Sequence, residues 1–225
     1  MKIGLYSGTF NPIHIGHLTV INYSIENFKL DLLYVIPNKK PVHKQRKYFL
    51  DPEIRMKMIL LSLENVTYRS KIKVSDFEIK SESDSYTYLT VENFRNLYPN
   101  DELYLIIGAD SLIYYYWHNF EIIFKTIDYF VVINNLDIKG DIFDFMKKEL
   151  LELHSEEKQH NTELLNLMFY FSEDVKEKFL ILNIPLISIS SSLIWQRLEE
   201  KKAIDYWVNE KVKQILYKLT PLAGE

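Results

Sequence analysis

Short runs of apolar residues alternate along the chain with stretches in which apolar residues recur every three or four positions. The first run is Ile3–Tyr6, and the stretch after it has a helical pattern of apolar residues: Leu18, Ile21, Ile25 and Phe28. A second apolar run, Leu32–Ile36, ends at Pro37. The order of strand, helix and strand predicts a βαβ unit with parallel strands and a right-handed crossover.

The same alternation continues to the end of the chain. We predict further strands over residues 72–79, 102–107, 127–133, 179–183 and 187–189, and helices that begin near residues 52, 87 and 193. Strands that alternate with helices are typical of an α/β domain with a parallel sheet. From residue 141 to residue 178 the pattern is helical and polar, so we expect a single domain over residues 1–225 with a helical insertion at about 136–180.

The composition narrows the class of protein. Of the 225 residues, 47% are hydrophobic, which favours a globular chain over a disordered one. A net charge of -4 gives no reason to expect a nucleic-acid partner. The absence of cysteine excludes disulfides, thiolate chemistry and cysteine-ligated metals. The sequence has no signal-peptide pattern and no apolar stretch long enough to cross a membrane, so we expect a soluble cytoplasmic protein. The sequence leaves open whether the protein forms a homo-oligomer.

A ten-residue segment, Gly8-Thr9-Phe10-Asn11-Pro12-Ile13-His14-Ile15-Gly16-His17, joins the first strand to the first helix. Such a joint lies at the carboxyl edge of a parallel sheet, where ligands bind, and the free N–H groups of the helix favour an anion. His14 and His17 are three residues apart and would share one face, where two imidazoles can hold a polyphosphate. Gly8 and Gly16 allow a close approach of the backbone. The alternative is a polar turn without chemistry.

Other candidate ligand groups follow later strands. Gly108 and Asp110 come directly after the strand 102–107, where a carboxylate can accept hydrogen bonds from ribose hydroxyls. Asp110 as a simple helix N-cap is the alternative. Ser190, Ser191 and a third serine begin the helix near residue 193, and hydroxyls with free N–H groups form an anion-binding site, although N-capping explains one of the three.

These segments resemble the HxGH nucleotidyltransferases. The version with Gly-Thr-Phe-Asn-Pro-Ile before the histidines is most similar to the nicotinate mononucleotide adenylyltransferases, and the resemblance runs along most of the chain apart from residues 136–180. It implies a doubly wound, mostly parallel, Rossmann-like α/β sheet with a small C-terminal helical part. It also implies transfer of AMP from ATP to nicotinate mononucleotide, which forms deamido-NAD and pyrophosphate in NAD biosynthesis.

The resemblance assigns roles to residues. His14 and His17 would be the catalytic residues, and three residues would frame the pyridine of the mononucleotide: Tyr86, Thr87 and Trp117, of which Trp117 is alternatively a core residue. A further set would bind ATP and its phosphates: Gly8, Thr9, Phe10, Gly16, Lys44, Gly108, Asp110, Ser190, Ser191 and Arg197. Lys44 lies in a basic loop that, taken alone, is typical of a solvated surface. Mg²⁺ would accompany ATP on its phosphate oxygens, since no cluster of carboxylates indicates a metal site held by the protein.

The chain also departs from the family pattern. The second signature, Ile-Ser-Ser-Thr-x-Ile-Arg, has Trp195 where the arginine that contacts the ATP phosphates is expected. Either Arg197 or Lys44 would compensate, or the enzyme would be slower, because a charge-assisted contact is worth roughly 1.5–3 kcal/mol. Asn134 and Asn135 stand where an Arg-Pro-Gly loop is usual, and Arg55 matches a position with a supporting role.

Two other functions and one substrate preference stay open at this stage. One is another HxGH enzyme, such as a pantetheine-phosphate adenylyltransferase or a cytidylyltransferase, which the Ser-Tyr-Thr segment at residues 85–87 and Trp117 argue against. Another is a nucleotide-binding regulator without turnover, which the intact histidines argue against. The preference for nicotinate or nicotinamide mononucleotide is not decided by the sequence.

Overall fold

A parallel six-stranded sheet forms the centre of the protein. The computed structural model describes residues 1–39, 48–136, 138–156, 164, 176–185 and 187–220. The strands are β1 (Lys2–Gly8), β2 (Leu32–Pro37), β3 (Ile72–Val74), β4 (Glu102–Gly108), β5 (Tyr129–Ile133) and β6 (Phe179–Leu182). Their order across the sheet is β3-β2-β1-β4-β5-β6, and every neighbouring pair is parallel.

Helices cover both faces of this sheet. They are α1 (Ile15–Phe28), α2 (Pro52–Leu63), α3 (Phe77–Lys80), α4 (Thr87–Leu97), α5 (Ala109–Tyr114), α6 (Phe120–Thr126), α7 (Ile142–Glu156), α8 (Ser191–Glu199) and α9 (Glu210–Leu219), with a 3₁₀ turn at Arg69–Lys71. One apolar core joins the sheet to helices α4 to α7, and the other joins it to α1, α2, α8 and α9. The predicted doubly wound, Rossmann-like fold is therefore confirmed, and α8 and α9 form its C-terminal helical part.

The strand order reverses between β1 and β4, which pair from Lys2 with Glu102 to Leu5 with Leu105. The chain leaves β1 into α1 on one face and reaches β4 from α4 on the other. Crossovers that depart to opposite faces leave a crevice beyond the carboxyl ends of these two strands. The fold thus places the segment of residues 8–17 and the Gly108–Asp110 turn on either side of one opening.

The predicted strand over residues 72–79 is wrong in its second half. Strand β3 ends at Val74, which pairs with Val35, although β2 continues to Pro37. The chain turns instead into α3, which the ion pair between Lys80 and Asp76 spans at 2.7 Å. Period-two alternation therefore does not describe residues 77–79, and Glu78 turns inward.

The predicted strand over residues 187–189 is also wrong. The N–H of Ile189 donates to the carbonyl of Ile187 at 2.7 Å, which closes a tight turn and is incompatible with a ladder. The two isoleucines line the opening beyond the sheet. In the region of the predicted insertion the structure describes α7, and most of residues 157–175 lie outside the described part of the chain.

Arg55 on α2 ties three loops together behind β1. Its side chain is fully buried, and its Nε donates to the carbonyl of Leu50 at 3.0 Å. Its Nη1 donates to the carbonyl of Thr9 at 2.6 Å, and Nη2 donates to those of Asn38 and Lys39 at 2.7 and 3.0 Å. Burial lowers the pKa of Arg55 to about 10, so the guanidinium stays charged at neutral pH. The supporting role expected of Arg55 is that of a cross-link.

Replacing Arg55 with methionine tests this cross-link. Arg55→Met leaves several buried carbonyls without a donor, so we expect the free energy of unfolding to fall by about 3 kcal/mol in urea titration. Arg69→Met is the control, because exposed Arg69 donates to one carbonyl, that of Ile72. The control should change the free energy by about 0.5 kcal/mol or less. Equal losses in the two variants would contradict the cross-link.

Candidate active site

A cleft of about 460 Å³ opens at the carboxyl ends of β1 and β4. It brings together most of the residues that the sequence predicted for the site: Gly8, Thr9, Phe10, His14, Gly16, His17, Tyr86, Thr87, Gly108, Asp110, Trp117, Ser190 and Ser191. Lys44 lies outside the described residues. Ligand groups predicted from separate stretches of sequence therefore face a single space.

The two histidines lie against each other at the start of α1. Their ring centroids are 3.8 Å apart, which confirms that the rings are neighbours, while their chemical role stays a prediction. His14 is the N-cap residue, and its backbone N–H donates to Nδ1 of His17 at 3.2 Å. Because Nδ1 accepts this bond, a neutral His17 carries its proton on Nε2, which makes Nε2 a donor.

Gly16 leaves room for the His14 ring. A Cβ at residue 16 would come within 3.0 Å of Cε1 of His14 and 3.1 Å of its Nδ1, tighter than most contacts that a Cβ makes. A residue with a side chain would therefore push the ring away from the backbone. The glycine between the two histidines is explained by this close approach.

His14 is a buried imidazole. The side chain is 7% exposed, and burial lowers its pKa to about 4, so the ring is neutral at physiological pH. Within the described part of the chain, no group makes a hydrogen bond to its Nδ1. A neutral, desolvated imidazole at a helix N-terminus can donate one hydrogen bond to an anion without bringing a fixed charge of its own.

The turn after β4 presents a carboxylate that an asparagine holds in place. Asn135 Nδ2 donates to Asp110 Oδ1 at 2.7 Å, and the Asp110 N–H donates to Asn135 Oδ1 at 3.4 Å. A Cβ at Gly108 would lie 2.3 Å from Asp110 Oδ1, so only glycine allows this orientation. Gly108 is the N-cap residue of α5, and Asp110 is therefore not the cap. Sequence reasoning missed Asn135, which it noted as a departure from the family loop.

The serines at the start of α8 have partners within the protein. Ser190 is the N-cap, and its hydroxyl accepts from the N–H of Leu193 at 3.2 Å. The Ser191 hydroxyl donates to the carbonyl of Pro12 at 3.0 Å, and so links α8 to the segment that carries the histidines. The anion donors expected here are therefore the backbone N–H groups of the first turn of α8, more than the two hydroxyls.

Trp195 supports the histidine segment from behind. Its side chain is 6% exposed, and Nε1 donates to the carbonyl of Asn11 at 2.9 Å. Its ring stacks on Tyr48 at a centroid distance of 5.1 Å. The residue that replaces the expected arginine thus fills a buried position and is not among the cleft-lining residues.

Arg197 does not compensate for that arginine. Its Nε donates to the carbonyl of Ala203 at 2.8 Å, and its guanidinium lies 4.8 Å from the centre of the Trp207 ring. The structure therefore places Arg197 away from the cleft, contrary to the prediction that it binds phosphate. The sequence spacing already indicated the reason, since residues two apart on a helix point in different directions.

The opposite end of the cleft is aromatic. Trp117 lines it while packing edge-on against Phe120 at 6.1 Å, and its Nε1 donates to the carbonyl of Ser111 at 3.0 Å. Trp117 therefore both lines the cleft and packs against the core, while its contact with a pyridine ring stays a prediction. Tyr86 contacts His118 at 4.7 Å. His118 also lines the cleft, and sequence reasoning missed it.

Glu78 is a second residue that sequence reasoning missed. It lines the cleft beneath β1 and is 3% exposed. The alternating pattern of residues 72–79 did not reveal it, because a strand would have placed Glu78 on the same face as Ile72 and Val74, which pack in the core. Only the turn into α3 directs its carboxyl toward Ser7 and Thr90.

Comparison with known proteins identifies the family. The sequence model of the cytidylyltransferase-like family matches residues 5–197. A Clostridium tetani protein named "Probable nicotinate-nucleotide adenylyltransferase" is 32% identical over 218 residues, which are 96% of each chain. The chain belongs to the cytidylyltransferase-like family and to its nicotinate-nucleotide adenylyltransferases. The nicotinate-nucleotide adenylyltransferase of Bacillus subtilis is 28% identical over 95% of this chain and 94% of its own.

Solved structures of this family share the fold. The Plasmodium falciparum nicotinic acid mononucleotide adenylyltransferase complexed with NaAD has a TM-score of 0.69 at 20% identity, over 98% of this chain and 97% of that chain. The enzyme from Vibrio parahaemolyticus gives 0.55 at 22% identity, over 96% and 97% of the two chains. At such identities the likeness shows the fold alone.

Two general features complete the description of this family member. None of the helices in the described ranges is long and apolar enough to cross a lipid bilayer. Among the same residues, no three histidine, aspartate or glutamate side chains come together as a metal site. The acidic groups that line the cleft are Glu78 and Asp110.

The depressed pKa of His14 predicts how stability depends on pH. The unfolded chain binds a proton at His14 near pH 6.5 and the folded chain only near pH 4, so the contribution is complete above pH 6.5 and is lost as the pH falls toward 4. Between pH 7 and 4.5 we expect the wild type to lose about 2 to 3 kcal/mol of unfolding free energy more than His14→Asn does. Urea titrations of both proteins at the two values measure this, and parallel losses would contradict it.

Proposed function

We propose that this protein transfers the adenylyl group of ATP to the phosphate of nicotinate mononucleotide, which forms nicotinate adenine dinucleotide and releases pyrophosphate. The observation that carries the proposal is a single cleft that holds an adjacent histidine pair, a fixed carboxylate and an aromatic end. Relatives with this name cover nearly the whole chain, and this supports the assignment.

The reaction needs no nucleophile from the protein. A phosphate oxygen of the mononucleotide attacks the α-phosphorus of ATP, and the bond from that phosphorus to the oxygen of the leaving pyrophosphate breaks. The protein's part is to align the two groups and to stabilise negative charge on the oxygens. His17 supplies the N–H of Nε2, and neutral His14 supplies one ring N–H.

Each part of the two substrates has a matching region of the cleft. The backbone of Gly8, Thr9, Phe10 and Gly16 and the start of α8 at Ser190 and Ser191 surround the phosphates. Asp110 accepts hydrogen bonds from the ribose of ATP beside Gly108. The pyridine ring fits the aromatic end, where Thr87 offers its backbone and hydroxyl and Tyr86 and Trp117 offer ring surface. The Plasmodium falciparum structures are described as complexes with NaAD and with APC, which supports a dinucleotide-sized cleft.

Mg²⁺ belongs to the proposal as part of the ATP complex. Phosphate oxygens are the hard ligands that Mg²⁺ prefers, and the ion would neutralise charge on the departing pyrophosphate. Of the carboxylates that line the cleft, Asp110 is the one that belongs to the proposed adenosine site. The residues of the chain bind and orient the magnesium–ATP complex, which enters as the substrate.

The direct test is product formation by the purified protein. Incubation with ATP and magnesium and, in separate samples, nicotinate or nicotinamide mononucleotide should give a dinucleotide and pyrophosphate by chromatography, with nicotinate mononucleotide the faster substrate. Product with phosphopantetheine, and none with either mononucleotide, would overturn the assignment in favour of another HxGH enzyme. ATP binding without any product would favour a regulator.

His17→Asn tests the donor role of His17. Asparagine keeps an acceptor near the position of Nδ1 for the His14 N–H and removes the Nε2 donor. We expect kcat to fall about 100-fold or more, the effect of removing one donor to a developing charge. His118→Ala, at the aromatic end of the same cleft, should leave kcat within about threefold. A fall of kcat in the control as large as in His17→Asn would argue against a specific role for His17.

A further inference from the structure

One of the two oxygens of the Glu78 carboxyl is hydrogen-bonded within the protein. Its Oε1 accepts hydrogen bonds from two hydroxyls, Ser7 Oγ and Thr90 Oγ1, each at 2.9 Å. These donors come from the end of β1 and from α4, so Glu78 bridges the two sides of the strand reversal. Two hydroxyls directed at one oxygen leave the second oxygen, Oε2, for another partner.

Oε2 is buried, and none of the residues that the structure describes makes a hydrogen bond to it. A buried polar atom without a partner costs free energy of the order of 1–3 kcal/mol, and native structures keep such atoms few. Glu78 is one of the residues that line the cleft. A group that enters the cleft and hydrogen-bonds this oxygen would therefore recover a cost that the unliganded protein carries.

The charge state of Glu78 is compatible with a ligand that carries negative charge on its phosphate. Burial raises the pKa of the Glu78 carboxyl, against the opposing effects of the Ser7 and Thr90 hydroxyls, of the nearby Ser85 hydroxyl and of the Arg55 charge. A carboxyl that is more readily neutral repels nearby phosphates less than an exposed carboxylate would. Glu78 is thus compatible with a cleft that must also hold phosphates.

The position of Glu78 identifies which part of a ligand it meets. On one side, its partner Ser7 directly precedes Gly8, where the phosphate-binding segment begins. On the other side lie Ser85, Tyr86 and Thr87, which lead into the aromatic end of the cleft. In a mononucleotide, the ribose is the part that joins the phosphate to the pyridine. Ribose hydroxyls both donate and accept, so they can pair with Oε2 whether the carboxyl is neutral or ionised.

We propose that Glu78 is a binding residue for the acceptor mononucleotide and that its Oε2 hydrogen-bonds a hydroxyl of the mononucleotide ribose. This inference rests on the proposed function, because it takes the acceptor to be a ribosyl phosphate. It assigns Glu78 to recognition of the acceptor and not of ATP. A buried carboxyl that only stabilised the fold would affect both substrates alike.

Three variants separate these roles in the steady-state assay of dinucleotide formation. Glu78→Leu removes both oxygens at similar volume, and we expect the KM for nicotinate mononucleotide to rise roughly tenfold while the KM for ATP stays within about twofold. Glu78→Gln keeps an acceptor for Ser7 and Thr90 and a polar group in place of Oε2, and should restore most of the affinity. Thr220→Val, the control, removes a buried hydroxyl that donates to the carbonyl of Leu216 at 2.7 Å and lies outside the cleft lining, so it should lower the Tm without raising either KM.

A measurement on the wild type does not depend on the variants folding. The 2′-deoxy and 3′-deoxy forms of nicotinate mononucleotide each lack one ribose hydroxyl, and one of them should show a KM roughly tenfold higher than the natural substrate. In Glu78→Leu that analogue should carry no further penalty. Two results would overturn the role of Glu78 without affecting the proposed function. One is an unchanged KM for both deoxy analogues, and the other is an equal rise in Glu78→Leu of the KM for nicotinate mononucleotide and the KM for ATP. Absence of any dinucleotide from the wild type would overturn the proposed function and this inference with it.

Discussion

The carbonyls of the segment between β1 and α1 are fixed from behind by three separate donors, and the rest of the site depends on them. Arg55 binds the carbonyl of Thr9, and Trp195 and Ser191 bind those of Asn11 and Pro12. The donors come from α2 and α8, so the helices packed on one face of the sheet set the backbone path before the histidines. A rigid path lets His14 and His17 stack at 3.8 Å and meet a substrate without rearrangement.

The strand reversal then supplies the remaining groups. Helices α1 and α4 pack on opposite faces of the sheet. The carboxyl ends of β1 and β4 therefore open onto one cleft instead of two separate surfaces. Glycines at residues 16 and 108 let the His14 ring and the Asp110 carboxyl lie close to the backbone. The outcome is a cleft with polar donors at its centre and aromatic rings at one end. The neutral His14 ring lies where the proposed reaction places negative charge.

Local sequence predicted the parts of this arrangement that local physics determines. The apolar runs gave the main strands, and the spacing of His14 and His17 placed both rings at one helix start. The errors came from tertiary contacts. The chain leaves the sheet after Val74 and α3 turns Glu78 toward Ser7 and Thr90, and Trp195 finds its partners in Asn11 and Tyr48, far away along the chain. No periodicity in residues 72–79 or 190–197 carries that information.

A crystal structure of the protein with nicotinate adenine dinucleotide tests the central claim most directly, because the claim concerns where each part of the product lies. The account predicts that the pyrophosphate oxygens lie within hydrogen-bond distance of His17 Nε2 and of a ring N–H of His14. It also predicts the adenosine ribose beside Asp110 and the pyridine beside Trp117. A dinucleotide bound with its pyrophosphate away from the histidine pair, or with its two ends exchanged, would contradict the account.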